Sequence, residues 1–177
     1  MDADEAIRQR ASVRSYGNAN VDSSVVKELI ELAVQAPSAG NSQEWVFVVV
    51  RDQNVKKALA ESSFGTNKMS CPVVVVVFAD MDVIESAYGE RGVSLYAMQD
   101  IAAAVENFMI AATNRGLSTC WIGAFNDQMV RNAVAAPQHL RPMAMITLGY
   151  AKDKVRKPSR KPVSDVVFSE LYGKPFK

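Results

Sequence analysis

VSLYAMQDIAAAVENFMIAATNRGLSTCWIGAF, residues 93–125, decides how this chain folds. Leu95, Met98, Ala102, Val105, Met109 and Ala112 recur at spacings of three and four, with Ile101 and Phe108 beside that stripe. This spacing predicts a helix over 93–115, apolar on more than one side. Such a helix belongs in a core or at a subunit interface. Gly116 suits its C-terminal stop. Thr119 to Ile122 then reads as a strand, with Gly123 where the strand ends. A long buried helix followed by a strand calls for a sheet that the helix covers.

The flanking sequence repeats this alternation. Residues 4–10 predict a short amphipathic helix with Ile7 inward. Asp22 can cap a second helix, in which Val26, Leu29, Ile30 and Ala33 keep helical spacing until Pro37. Val46–Val50 and Val73–Ala79 read as buried strands, separated by a helix over Asn54–Ser62. Residues 80–92 are polar, carry Gly89 and Gly92, and read as a loop. Asn126 can cap a helix running to Ala136, and Met143–Leu148 is a fourth strand. The tail from Lys152 is basic and proline-bearing, then amphipathic from Val163 to Tyr172. Val166, Val167, Phe168, Leu171, Tyr172 and Phe176 are much apolar surface for a chain end. They need a surface to pack on, and a partner subunit is one. We find no repeat or linker and read one domain over 1–177.

Composition narrows the function. The 177 residues carry a net charge of +1 and are 49% hydrophobic. A core is affordable, and the balance gives no reason to expect nucleic acid or an anionic membrane as partner. The acidic start, Met1–Glu5, is not a secretory signal, and Val73–Phe78 is too short to span a bilayer as a helix. Cys71 and Cys120 form no CxxC pair and read as buried, reduced thiols, consistent with a cytoplasmic protein. One histidine, His139, lies in a loop between Pro137 and Pro142 and is a poor basis for a catalytic triad; with two scattered cysteines it makes no zinc site. There is no GxGxxG after a strand and no GxxxxGK. With so few acid–base groups, an enzyme of this sequence needs a cofactor to carry the chemistry.

Four segments offer ligand-binding chemistry. Arg10, Ser12 and Arg14 alternate directly after the first helix, so an extended backbone sets all three on one side, where two guanidinium forks and a hydroxyl suit a phosphate or a polar edge. The same pattern also fits a solvated basic stretch. Pro37-Ser38-Ala39-Gly40-Asn41-Ser42-Gln43 is a turn richer in amides and hydroxyls than a helix-to-strand connection needs. Gly123, at a strand end, lets a flat ligand approach the backbone. Lys157-Pro158-Ser159-Arg160-Lys161-Pro162 is a second basic cluster.

In this order, R-x-S-V-R at 10–14, P-S-A-x-N-S-Q-x-W at 37–45, a long helix with Asp100 and Asn107, G-L-S-T-C-W-I-G-A-F at 116–125, L-G-Y at 148–150 and S-R-K-P at 159–162 resemble the nitroreductase family of FMN enzymes. The resemblance spans nearly the whole chain. It implies an α+β fold: a three-layer α/β/α sandwich around a mixed, mainly antiparallel sheet, in an intertwined homodimer with FMN at the interface. Carried over by motif, Arg10, Ala11 and Ser12 would meet the FMN phosphate or ribityl chain. Arg160 would join them, with Lys157 or Ser159. Arg14 would lie toward the ribityl chain or the pyrimidine edge. Pro37, Ser38, Ala39 and Asn41 would come from the loop after the second helix of the other subunit. Asn67 and Lys68 would stand near the pyrimidine edge, and the amides of Ile122 and Gly123 would face flavin N5. The implied activity is ping-pong hydride transfer from NADH or NADPH to a small electron-poor acceptor: a nitroaromatic, a quinone or a second flavin. The same fold also serves flavin fragmentation and reductive dehalogenation, and a non-catalytic flavin carrier fits the same residues.

Overall fold

The computed structural model describes residues 1–65 and 69–176. Six helices and four strands follow the chain as α1 (Ala3–Gln9), α2 (Ser23–Ala33), β1 (Trp45–Val50), α3 (Gln53–Ser62), β2 (Val73–Asp80), α4 (Met81–Arg91), α5 (Ala97–Asn114), β3 (Ser118–Ile122), α6 (Asp127–Ala133) and β4 (Leu140–Gly149). The strands form one sheet in the order β1-β2-β4-β3, with every neighbouring pair antiparallel. A single parallel bridge from Ser12 to Thr119 makes the sheet mixed.

β2 explains the layering. Its residues Val73 to Ala79 are all buried. Successive side chains of a strand point to opposite faces. Val73, Val75, Val77 and Ala79 join a core with α2 and α5. Val74, Val76 and Phe78 join the opposite core, with Leu59 of α3 and Val130 of α6. The unbroken valine run is thus a strand covered on both faces, and helices on each side complete three layers.

Several expectations about elements need correction. The Val46–Val50 run is not buried throughout: as edge strand β1 it leaves Val46, Phe47 and Val48 half-buried and Val49 exposed, because one of its sides has no neighbouring strand. Residues 80–92 are not a loop, because α4 occupies 81–91. Asp80 starts it, its carboxylate accepting from the amides of Asp82 and Val83 at 3.1 and 3.3 Å. The two glycines hid this cap: Gly89, at φ 55°, bends the helix, and a π-turn over Gly92–Tyr96 feeds into α5. Ile7 does not point inward; it is 54% exposed, and Ala6 is the residue that α1 buries. In α5 the buried face runs through Ile101, Ala104, Val105, Phe108 and Ala112, while Met98 is exposed and Ala102 half-buried. The helix has apolar residues on two faces, so spacing alone could not fix which one meets the sheet. Asp22 precedes α2 but its carboxylate accepts no capping amide among the described residues, whereas Asn126 caps α6 by accepting the Met129 amide at 3.0 Å. Gly116, at φ 72°, ends α5 in the left-handed region.

Tyr16 ties the N-terminal segment to the sheet. Its hydroxyl lies 2.6 Å from the Val13 carbonyl oxygen and 2.6 Å from the Thr147 hydroxyl. Burial pushes its phenol above the ordinary tyrosine range, so it stays a neutral donor. Tyr16→Phe is expected to cost about 1–2 kcal/mol, the net worth of those bonds. A urea melt checks this; an unchanged midpoint would show that the hydroxyl fixes nothing.

Candidate active site

The segment after α1 runs along the outer edge of β3. The Val13 amide donates to the Thr119 carbonyl at 2.8 Å, and the Gly17 amide donates to that of Tyr150 at 2.9 Å. Ala11 and Val13 are buried, whereas Ser12 and Arg14 are exposed and Arg10 is half-buried. The strand-like alternation expected at 10, 12 and 14 is therefore present. Ser12 and Arg14 both act on the thiol of Cys120, which burial pushes up and these two pull down. Arg10 has a partner: its Nε stands 3.1 Å from the Glu106 carboxylate on α5.

Three residues beyond Thr119, β3 ends and gives way to an exposed turn. Ile122 is buried, but Gly123 and Ala124 are open to solvent. The Phe64 amide donates to the Ala124 carbonyl at 3.0 Å, and the Asn126 amide to that of Ser62 at 2.9 Å, so the end of α3 is strapped to this turn. Gly123 borders a cleft of about 310 Å³ whose walls include Met98, Ile101 and Ala102 of α5, Trp121, Phe125 and Met143. Met143 is there because of a bulge. Val77 pairs with Ala144 and Phe78 with Pro142, leaving Met143 as the extra residue. The bulge also accommodates a proline inside an interior strand. Arg141 and Asp127, 3.9 Å apart, form a charged rim.

The loop after α2 is held on the same helix. The Ala39 amide donates to Asp100 Oδ2 at 2.8 Å. The Gln43 amide donates to Ser38 Oγ at 3.1 Å, and the Asn41 amide to the Ser38 carbonyl at 3.0 Å. Gly40, Asn41 and Gln43 all take positive φ, at 54°, 60° and 50°. That is strained for glutamine, and a loop keeps such a shape only where its surroundings dictate it. A side chain at Gly40 would run into the Tyr88 hydroxyl. Pro37 and Asn41 are exposed, while Ser38 and Ala39 are half-buried.

Helix α5 thus borders every described part: Glu106 holds Arg10, Asp100 holds the 37–41 loop, and Met98, Ile101 and Ala102 wall the cleft at Gly123. Arg160 is not among them. It is exposed on the tail and, among the described residues, donates only to the carbonyls of Pro158 and Ser159, at 3.3 and 3.4 Å. The root of the tail does reach the basic segment. The Lys152 amide donates to the Ser15 carbonyl at 3.1 Å, and Val155 shares a small cleft with Gln9, Ala11 and Val13. Asn67 and Lys68 lie outside the described residues. The sequence marks Gly123 at this cleft, but spacing alone assigns Met98 and Ala102 to the core stripe and Met143 to a plain strand; only the bulge turns Met143 inward.

Residues 7–69 and 66–150 match the model described as the nitroreductase family. The chain belongs to the nitroreductase family. An NADH dehydrogenase of Thermus thermophilus is 30% identical over 195 residues, covering 94% of this chain and 95% of that protein. The crystal structure of a nitroreductase family protein from Streptococcus pneumoniae superposes with a TM-score of 0.88 at 26% identity, covering 96% of this chain and all of that one. An FMN-dependent nitroreductase of Clostridium difficile shares the fold at a TM-score of 0.81 and 20% identity, over 94% of this chain and 98% of the other. The nitroreductase fold expected from the motifs is thereby established: helices on both faces of a largely antiparallel sheet.

Proposed function

We propose that residues 1–177 form one FMN-binding domain of a cytoplasmic, homodimeric NAD(P)H oxidoreductase that reduces small electron-poor acceptors. The observation that carries this reading is the pairing of Ser12 with Thr119. It lays the Arg10–Arg14 row beside the strand whose end exposes Gly123, about 13 Å further along at the rise of an extended chain. A phosphate site and a flat-ring site then lie at the two ends of one strand, as a mononucleotide with an extended ribityl chain requires.

The residues fit FMN chemically. Arg10 and Ser12 would take the phosphate, with Arg160 completing the cation set, because charge-assisted hydrogen bonds from guanidinium groups hold a dianion well. Arg14 would face the ribityl chain or the pyrimidine edge. The amides of Ile122 and of the solvent-open Gly123 would meet the ring, with no side chain at Gly123 to hold it off. The apolar wall of Met98, Ile101 and Trp121 suits a ring face. Ser38 and Asn41 supply polar contacts from the loop of the other subunit. FMN, when bound, supplies the hydride acceptor and donor, so the chain needs no side-chain base between NAD(P)H and a nitroaromatic, quinone or flavin substrate.

The homodimer reading is supported by surface the protomer leaves open. Val163, Val166, Leu171, Tyr172 and Phe176 are each at least 60% exposed, and nearly all of the tail beyond Lys152 stands clear of the body. β1 is an edge strand with Val49 exposed. Among the described residues no helix is long and apolar enough to cross a membrane, which leaves a second subunit as the better cover for the tail. Two buried, free cysteines suit a reducing compartment.

The purified protein is expected to show a flavin absorption spectrum that bleaches on adding NADH or NADPH under nitrogen and returns with an acceptor, leaving FMN intact. A colourless protein that resists FMN reconstitution would overturn the proposal. A yellow protein that neither nicotinamide reduces would make it a flavin carrier.

A further inference from the structure

Glu44 stands at the start of β1, directly after the strained loop, and is 2% exposed. Its Oε2 accepts from the Ser42 hydroxyl at 2.7 Å. Its Oε1 is buried and meets no donor among the described residues. Asp100 of α5, itself buried, grips the same loop by accepting the Ala39 amide through Oδ2 at 2.8 Å, and its negative charge acts on Glu44. Two carboxylates are acceptors only, so this contact is repulsive unless one of them carries a proton.

We infer that Glu44 and Asp100 share one proton, and that this proton holds the 38–41 loop in the shape that presents Ser38 and Asn41 to the cofactor. In this arrangement Glu44 Oε1–H donates to Asp100, Asp100 accepts the Ala39 amide, and Ser42 donates to Glu44. Each oxygen of the pair then has a role, and the left-handed residues 40, 41 and 43 are fixed from both ends. The pair is a positioning device; neither carboxyl touches the reacting atoms. The inference rests on the FMN reading only for the purpose of the loop. The shared proton stands apart from it.

Other titratable groups around this corner do not supply a counter-charge to the pair. Asp80, at the end of β2, gives its amide to the Glu44 carbonyl at 2.7 Å and spends its carboxylate on α4. His139 lies 4.0 Å from Asp80. Tyr88 of α4 covers Gly40. Arg91 donates to the Tyr96 hydroxyl at 2.9 Å. Burial pushes the Glu44 pKa above the ordinary carboxylate range; the Ser42 hydrogen bond pulls it part of the way back, and the charge of Asp100 adds to the rise. With a folded value raised above the unfolded one, the stabilisation is fully present at pH below the unfolded carboxyl value. It is lost as pH climbs through the folded value. The loop therefore tightens on acidification and loosens on alkalinisation.

Infrared spectroscopy of the full chain, recorded as pH is raised from the acid side, is expected to show a protonated-carboxyl carbonyl band that persists above the pH at which free carboxyl groups lose theirs and that is absent in Glu44→Gln. Hydrogen exchange is expected to show the Ala39 amide losing protection as pH rises in the native chain. Glu44→Gln, whose amide donates permanently, keeps that protection flat. FMN affinity, read by fluorescence titration, should weaken by roughly tenfold across the same transition in the native chain only. Asp100→Asn, which can accept from Ala39 and donate to Glu44, carries the same expectation should the first variant not fold. His139→Gln must leave the transition in place. The inference is overturned if the carboxyl band is missing, if Ala39 protection changes with pH alike in the native chain and Glu44→Gln, or if the transition disappears with His139. Absence of FMN binding at every pH, with the band and the Ala39 transition intact, would sink the cofactor assignment and leave the shared proton standing.

Discussion

A chain carrying Arg10→Ala and Arg160→Ala is expected to purify free of FMN. Each arginine offers the phosphate a charge-assisted hydrogen bond, worth about 1.5–3 kcal/mol where it is partly desolvated. Losing both removes about 3–6 kcal/mol, or roughly a hundredfold to ten-thousandfold in affinity. The fold itself should survive. Arg160 bonds only to its own tail, and Glu106, the partner that Arg10 leaves behind, is half-solvated. The result is read as the ratio of flavin to protein absorbance after gel filtration, with circular dichroism to verify folding. Arg8→Ala serves as a control: it removes a positive charge from α1, where Arg8 pairs with Asp4 at an exposed 3.8 Å contact, and should keep its flavin. Full FMN occupancy in the double variant would refute the cofactor site. The experiment also tests the most exposed part of the proposal, because in a single protomer Arg160 is not brought to Arg10. Its involvement requires the tail to settle on the body or on a second subunit.

Phe78→Ala should be the most damaging single truncation in the core. Phe78 is wholly buried in β2, an interior strand, beside the bulge that sets Met143 into the cleft. Removing a buried phenyl costs about 3–5 kcal/mol in lost transfer energy and cavity formation. That is a large share of the roughly 5–15 kcal/mol that keeps a domain folded. For a chain of this size it corresponds to a fall in Tm of about 6–20 °C. Calorimetry should rank the native chain above Phe78→Leu and Phe78→Leu above Phe78→Ala, following side-chain volume. If the alanine variant melted with the native chain, the two-sided burial of β2 would be wrong.

Much of the architecture was legible in residue spacing. The β2 valines, continuous and bounded by turn residues, could only be a strand buried on both faces, which demands helices above and below. The alternation of Arg10, Ser12 and Arg14 survives intact because an extended segment at a sheet edge keeps a period of two whatever it packs against. Asn126 and Gly116 mark helix ends through local chemistry, and local chemistry is written in sequence. Where two signals competed, the reading failed. At 80–92 two glycines outweighed an aspartate cap, and the chain accommodated both by kinking a helix. At Ile7 a helix of seven residues offered too few positions to define a face.

The site divides along the same line. Sequence alone determined which residue types were available: cations near both ends of the chain, an amide-rich loop, and a glycine where a strand stops. These are matters of composition and short-range order. Only the tertiary structure decided that Asp100 grips the Ala39 amide, that Glu106 answers Arg10, that Met98 faces a cleft, and that Glu44 lies buried against a second carboxyl. Each is a contact between residues more than fifty positions apart or a choice between two equally apolar helix faces. Spacing along one element carries no information about what packs across it. That is settled by how α5 rotates to bury its larger side chains against the sheet.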